Sequence, residues 1–280
     1  MIEESIRREV TTINSAGFEE EGGDFRKELR LDWNRAMVMV KKKNYNQTLG
    51  SYLGFIWLVL DPLIMTLVYL FVFTVIRYNE SAGVIFIGLG MIRGMQRSLS
   101  DASNPSSLRE LNGPSSIFRP RTRVGIISGH AKLAIDSMCM ASGISIVLIW
   151  LGADVIGSTL FLFVMLLNSL VWYYIGICLL HITVRVPDVH KLVNYFGMGM
   201  FFASPVLYSF NRTTGLHREF SMYNPMTYTI ELGRSIVGLE NGIDSLPLIG
   251  FGAIILMVIV TAIIGMMKLD TLRWHTSVVS

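Results

Sequence analysis

Long apolar blocks, each about as long as a bilayer is thick, alternate along this chain with short clusters of Lys and Arg. A backbone dissolved in hydrocarbon must satisfy every N–H and C=O internally, and helices do this most simply. The blocks therefore read as helices. Only 16% of the 280 residues are charged and 51% are apolar, with a mean hydropathy of +0.49. A soluble domain of this length would keep a denser charged coat. A nucleic-acid binder would gather its cations on one soluble face; here they flank the apolar blocks, which argues against a nucleic-acid partner.

Six spans are predicted, at 53–76, 84–104, 133–153, 159–182, 192–210 and 246–267. The first carries Asp61 and Pro62, an acidic residue that needs water or a partner at that depth and a proline that kinks the helix. The second is the shortest apolar run. Arg93, Arg97 and Asp101 follow one another on one helical face, so Arg97 and Asp101 could pair. Asp136 and Lys132, four apart, are expected to pair at the inner interface. Pro205 breaks the fifth block.

With the N-terminus inside, the six spans put Arg35, Lys41, Arg109, Arg119, Arg121, Arg123, Lys132, Arg185, Lys191 and Lys268 on inner flanks. Arg77, Arg212, Arg218 and Arg234 fall on outer flanks. This asymmetry favours a multi-pass protein of the cytoplasmic membrane with both termini cytoplasmic. No secretory h-region opens the chain. Residues 1–24 read as a flexible tail and 271–280 as a cytoplasmic tail, on either side of a transmembrane domain at 50–270. Residues 25–49 read as an amphipathic interface helix with Leu29, Trp33, Ala36, Met37 and Val40 at helical spacing, lying on the membrane or packed on a partner. The segment Asn211 to Ser245 is either a surface loop or two short re-entrant helices in the outer leaflet, the second opened by Pro225.

Catalytic patterns are absent. No GxxxxGK[ST], HExxH or GxSxG occurs, and the histidines are scattered. Cys139 and Cys178 lie apart in apolar blocks and form no CxxC. Catalytic residues, metal ligands and cofactors are thus expected to be none in this chain. The energy for any transport has to come from an ATPase partner or an ion gradient; Asp61 alone makes a thin proton relay, which favours the ATPase.

Four stretches together resemble the membrane subunits of ABC-2 type transporters, in particular the polysaccharide-export branch. They are YNQTLGSYLGFIWLVLDP at 45–62, IFRPRTRVGI at 117–126, FFASPVLY at 201–208 and NPMTYTIELGR at 224–234, in the family's order. Arg93 and Arg97 depart from that pattern, standing where the family has a mostly apolar helix, and residues 1–24 exceed the family core. The resemblance implies an all-α integral membrane homodimer, each copy docked to a separate cytoplasmic ATPase that binds ATP and Mg. The cargo implied is a lipid-linked polysaccharide of O-antigen, capsule or teichoic acid type; an exporter of drugs or lipids with the same fold, or a membrane protein outside this class, is the alternative. ATPase coupling maps to Arg119, Pro120, Arg121 and Arg123 within a coupling segment at 110–124, with Arg35 and Lys41 on the interface helix. An external gate maps to Tyr223, Asn224 and Pro225. A sugar path could use the faces of Tyr69, Phe73, Tyr195, Phe202 and Tyr208, and Arg93 and Arg97 could meet a pyrophosphate or an acidic sugar. Equally, these rings could only pack, and the loop arginines could only set topology or bind anionic lipid.

Charge reversal at Arg121 separates those last readings. If the loop docks an ATPase, Arg121→Glu is expected to weaken copurification of the ATPase and to lower export; unchanged binding and export would remove the docking role.

Overall fold

In the computed structural model, the described residues are 11–14, 17–20, 25–48, parts of 54–72, 81–106, 122–267, Leu269 and Leu272. Among them are a short antiparallel hairpin of β1 (Thr11–Asn14) and β2 (Gly17–Glu20) and eight α-helices. The helices are α1 (Phe25–Thr48), α2 (Ala82–Ser103), α3 (Thr122–Trp150), α4 (Val155–Thr183), α5 (Asp188–Ala203), α6 (Gly215–Tyr223), α7 (Pro225–Val237) and α8 (Leu248–Met267). Arg123–Trp150, Val155–Thr183 and Leu248–Met267 are long and apolar enough to cross a membrane. Half of the predicted first span, including Asp61, Pro62, Tyr69 and Phe73, lies outside the described residues.

The helix with the weakest apolar signal is the centre of the bundle. Residues Gly83 to Ile92 of α2 are all buried, and α2 packs against α3, α4, α5 and α7. A helix buried on every side has no need of an amphipathic stripe. Its charged residues are confined to the last three turns. By contrast α8 is nearly bare: Leu248, Ile249, Ile255, Leu256, Ile263 and Ile264 are all more than half exposed. That apolar surface suits contact with lipid.

Between helices in hydrocarbon, van der Waals packing and polar side chains supply the adhesion that hydrophobic burial supplies in water. Asn168, fully buried on α4, donates to the Met91 carbonyl at 2.9 Å and accepts from Thr229 of α7 at 3.0 Å. Thr183 donates to the Ser103 carbonyl at 2.7 Å, which pins the end of α4 to the end of α2. Cys178 donates to the Thr261 carbonyl, and His181 lies 3.1 Å from the Gly265 carbonyl. His181 is therefore a helix–helix contact between α4 and α8. Close approach also needs small residues. A Cβ on Gly88 would run into the Val206 carbonyl oxygen, and one on Gly157 into the Ile236 carbonyl oxygen.

These contacts sort the ends of the helices into two poles. At one pole lie the ends of α2, α4 and α8 and the starts of α3 and α5, joined by contacts such as Thr183–Ser103, Ser103–His190 and His130–Tyr174. Helix α1 packs on α3 there, through buried Asp32, Ala36 and Val40. Leu29 and Trp33, expected on the same apolar face, are 43% and 52% exposed. The predicted stripe is thus divided: one edge packs on the bundle and the other remains open. At the opposite pole lie the starts of α2, α4 and α8, the ends of α3 and α5, and all of α6 and α7.

The second pole is held by a buried ion pair. Glu231 and Arg234, one turn apart on α7 and both fully buried, meet at 2.7 Å. Arg234 also donates to the carbonyls of Val84, Pro205, Val206 and Tyr208 at 2.8–3.0 Å. Glu231 accepts from the backbone N–H of Phe210 at 3.1 Å and of Gly242 at 2.5 Å. The pair therefore joins three chain segments, Val84, residues 205–210 and Gly242, and supplies partners to backbone groups that Pro205 and the neighbouring turns leave without helical ones. Arg234, placed on an outer flank from the sequence, is fully buried: its guanidinium replaces water for broken backbone in the interior.

Removing one member of such a pair strands the other charge. Arg234→Met is expected to cost about 3–5 kcal/mol and to lower the melting temperature sharply. The double variant Glu231→Gln/Arg234→Met is expected to be less damaged than the sum of the two single variants.

Candidate functional site

Three regions carry the charged and aromatic side chains: a groove between α2 and α5, the basic pole, and the joint at the opposite pole.

The groove has a volume of about 550 Å³ and lies along the half of α2 that bears its charges. Arg93, Gln96, Arg97 and Asp101 line one wall, and Asn194, Phe201 and Phe202 the other. Gln96 donates to the Gly197 carbonyl at 3.0 Å, which fixes α2 against α5, and Arg93 reaches the Gln96 amide oxygen at 3.5 Å. Phe201 and Phe202 stand edge to face at 5.0 Å, with Phe202 71% exposed. Arg97 makes its closest described ion pair with Asp136 and not with Asp101. Among the described ion pairs its Nε lies 3.6 Å from Asp136 of α3, because α2 and α3 cross where Asp136 is already held by Lys132 at 2.6 Å. The Lys132–Asp136 pair is the one predicted from spacing. Tyr195 is 70% exposed on α5 but does not line the groove. Tyr208 lies beyond the end of α5, with its hydroxyl 3.0 Å from His217 Nε2. Of the described path residues, the structure thus brings Arg93, Arg97 and Phe202 together and leaves Tyr195 and Tyr208 apart.

At the basic pole, Arg123 opens α3 beside α1. Its guanidinium lies 3.8 Å from buried Asp32 and 5.7 Å from the Phe25 ring. Arg35 lies 3.7 Å from the same Asp32 and is largely exposed, as is Lys41. Asp32 thus ties the interface helix to the start of α3, a role the sequence reading missed. Arg119, Pro120 and Arg121 lie outside the described residues.

At the opposite pole, the segment Asn211 to Ser245 holds two short helices, and Pro225 occupies the first turn of the second. Asn224 is the hinge pin. Its side-chain oxygen caps α7 by accepting from Met226 N–H at 2.9 Å. Its amide donates to Ser204 Oγ at 2.8 Å and reaches the Ala203 carbonyl at 3.3 Å. Tyr223, next to it, is 89% exposed. Tyr228 donates to the Met222 carbonyl at 2.8 Å, and burial pushes its phenol pKa up. Glu231 and Arg234 were missed in the sequence as a site, although their spacing of three on a helix was visible.

Helices long and apolar enough for a bilayer, a charged groove along the central helix and a two-helix joint before the last helix define the membrane subunit of a transporter. The model of the ABC-2 type transporter family matches residues 35–237, and the chain belongs to that family. It is a transmembrane permease subunit of an ABC transporter; members of this family generally pair with an ATPase subunit and sit in a membrane. No curated protein matches the chain.

Asn224 offers a direct test of the joint. Asn224→Ala loses both the cap and the tie to α5, and is expected to cost about 1–2 kcal/mol. Asn224→Asp keeps the cap but loses the donor to Ser204, so its melting temperature should fall between those of the alanine variant and the wild type.

Proposed function

We propose that this permease is the membrane half of an ATP-driven exporter of a lipid-linked polysaccharide across the cytoplasmic membrane. Two copies form the conduit, and each docks one cytoplasmic ATPase that holds the ATP and Mg. The chain crosses the membrane six times, with both termini and the basic pole in the cytoplasm. The pole built on Glu231 and Arg234 faces outward and carries the gate at Tyr223, Asn224 and Pro225.

The observation that supports this reading most is the chemistry of the α2–α5 groove. Guanidinium, amide and carboxyl groups face an aromatic pair across it, of which Phe202 is exposed. A pyranose has the same dual surface: hydroxyls for polar groups and C–H faces for rings. A drug or plain lipid would not need the four polar side chains on α2. Lys and Arg placement supports the orientation, because Arg35, Lys41, Arg123, Lys132, Arg185 and Lys191 belong to one pole. Coupling then runs from the ATPase through the 110–124 segment to α3, and by Asp32 to α1.

Export of a lipid-linked glycan by inverted vesicles bearing the permease and its ATPase provides the test. Phe202→Ala and the double variant Arg93→Gln/Arg97→Gln are each expected to lower glycan export at least tenfold while dimer and ATPase assembly persist. Export of a fluorescent drug or a phospholipid with no effect of glycan on ATP turnover would contradict the glycan assignment.

A further inference from the structure

A second cavity lies behind the groove, at the basic pole between α1, α2, α3, α4 and α8, with a volume of about 160 Å³. Its wall carries small polar groups that the protein itself does not use. Ser169 Oγ and Asp136 Oδ1 are buried and have no hydrogen-bond partner among the described residues. The two cations near Asp136 approach its other oxygen: Lys132 lies 2.6 Å and Arg97 3.6 Å from Oδ2. Ser98 and Ser137 line the same cavity, and neither makes a side-chain hydrogen bond among the described residues. Ser98 and Asp136 are 6% exposed, Ser137 4% and Ser169 1%, so bulk solvent hardly reaches them. Leaving such groups unmatched in a helical bundle is costly. Three different helices bring them to one space, which marks a place built for a ligand.

Charge, size and surface narrow what that ligand is. Arg97 and Lys132 stand around the cavity with Asp101 and Asp136, two cations with two carboxylates. Lys43 also borders the cavity and has a partner of its own outside this set. No net charge is left for an ionic ligand to answer. Asp136 Oδ1 needs a donor, and each serine hydroxyl can donate or accept. Hydroxyl groups on the ligand satisfy both demands. The cavity holds roughly ten times the space that one water needs. Met140, Ile177 and Leu180 border the same space. Water alone would wet these apolar side chains. A pyranose covers them with its C–H groups and turns its hydroxyls to the serines. Arg97, Asp101 and Met140 line both this cavity and the α2–α5 groove, so the two are neighbours across a shared wall.

We propose that this cavity binds a single uncharged sugar unit. Two sources share that chemistry: a unit of the exported glycan, and the headgroup of a membrane glycolipid. The inference deepens the export reading by naming a sugar subsite apart from the groove, and it rests on that reading for a glycan to come within reach of the cavity.

The test is binding, measured apart from transport. The full-length permease in phosphatidylcholine nanodiscs is titrated with the methyl glycosides of glucose, galactose, mannose and N-acetylglucosamine, and with methyl glucuronide, a similar ring that bears a carboxylate. Saturation-transfer NMR reads the bound fraction. At least one neutral glycoside is expected to bind about tenfold more tightly than the glucuronide, whose charge would be buried without a counter-ion. Ser169→Ala should weaken that binding severalfold, and Ser98→Leu, which fills the space, should abolish it. Phe202→Ala, in the groove, should leave it unchanged. Melting temperatures of the variants near that of the wild type show that the fold is retained. A glycosyl diacylglycerol and a polyprenyl-linked oligosaccharide, each ending in the bound sugar, then compete with the glycoside. Displacement by the first alone identifies a membrane glycolipid as the source, and by the second alone the glycan; displacement by neither overturns the proposal. Binding of no neutral glycoside, equal binding of the glucuronide, or binding indifferent to Ser169→Ala and Ser98→Leu also overturns it. Glycan export that persists with no sugar bound here would leave the export reading intact. Wild-type permease that binds the sugar yet exports no glycan would count against the export reading and leave the site standing.

Discussion

The Glu231–Arg234 pair is the interaction on which the architecture of one whole pole depends. Pro205 ends α5 within the depth of the bundle, and the chain then runs through turns to α6. Broken backbone at that depth is tolerated only where protein groups replace the missing helical hydrogen bonds. Arg234 supplies the donors and Glu231 the acceptors, from adjacent turns of the same short helix. Each charge is neutralised by the other at 2.7 Å and saturated by main chain, so neither is left bare in a medium of low polarity. The pair also joins Val84, at the start of the central helix, to the joint before α8. Any movement that separates α2 from α7 must break it.

The two poles are built on different principles. The joint before α8 is held by neutral caps and one saturated pair, so separating its parts breaks many contacts at once. At the basic pole the arginines make looser contacts. Asp32 shares Arg35 and Arg123 at 3.7 and 3.8 Å, and Arg97 stands 3.6 Å from Asp136, which Lys132 holds tightly at 2.6 Å. Long, shared ion pairs of partly exposed arginines contribute little each and rearrange easily. This division suits the proposed mechanism, in which force enters at the basic pole and opening occurs at the other. The groove along α2 connects the two, because the same helix carries Val84 at one end and Arg93, Arg97 and Asp101 toward the other.

Much of the fold was legible because the bilayer imposes a length. The helices at 155–183 and 248–267 cover the blocks predicted at 159–182 and 246–267, whereas the helix at 122–150 starts 11 residues ahead of the block predicted at 133–153; the Lys132–Asp136 pair follows from a spacing of four. Pro225 opened a helix as expected. Other features could not be read from local pattern. Arg97 was read as able to pair with Asp101 because they share a helix, but the nearer carboxylate arrives from α3, a tertiary fact. Arg234 looked like a boundary charge because hydropathy counts charges and not the carbonyls they face. Asn168, alone in an apolar block, was the one visible sign that polar contacts join α2, α4 and α7. The sequence reading passed over it because a single amide barely changes the mean hydropathy of a long helix.

The central claim is that the two poles face opposite sides of the membrane. Tyr223 and Lys191 are exposed residues at opposite poles and suit a direct measurement. With Cys139 and Cys178 replaced, Tyr223→Cys and Lys191→Cys are treated in intact cells with an impermeant maleimide. Labelling at 223 in intact cells, and at 191 only after permeabilisation, is the predicted result. Labelling of both positions from one side, or of 191 alone in intact cells, would contradict the account.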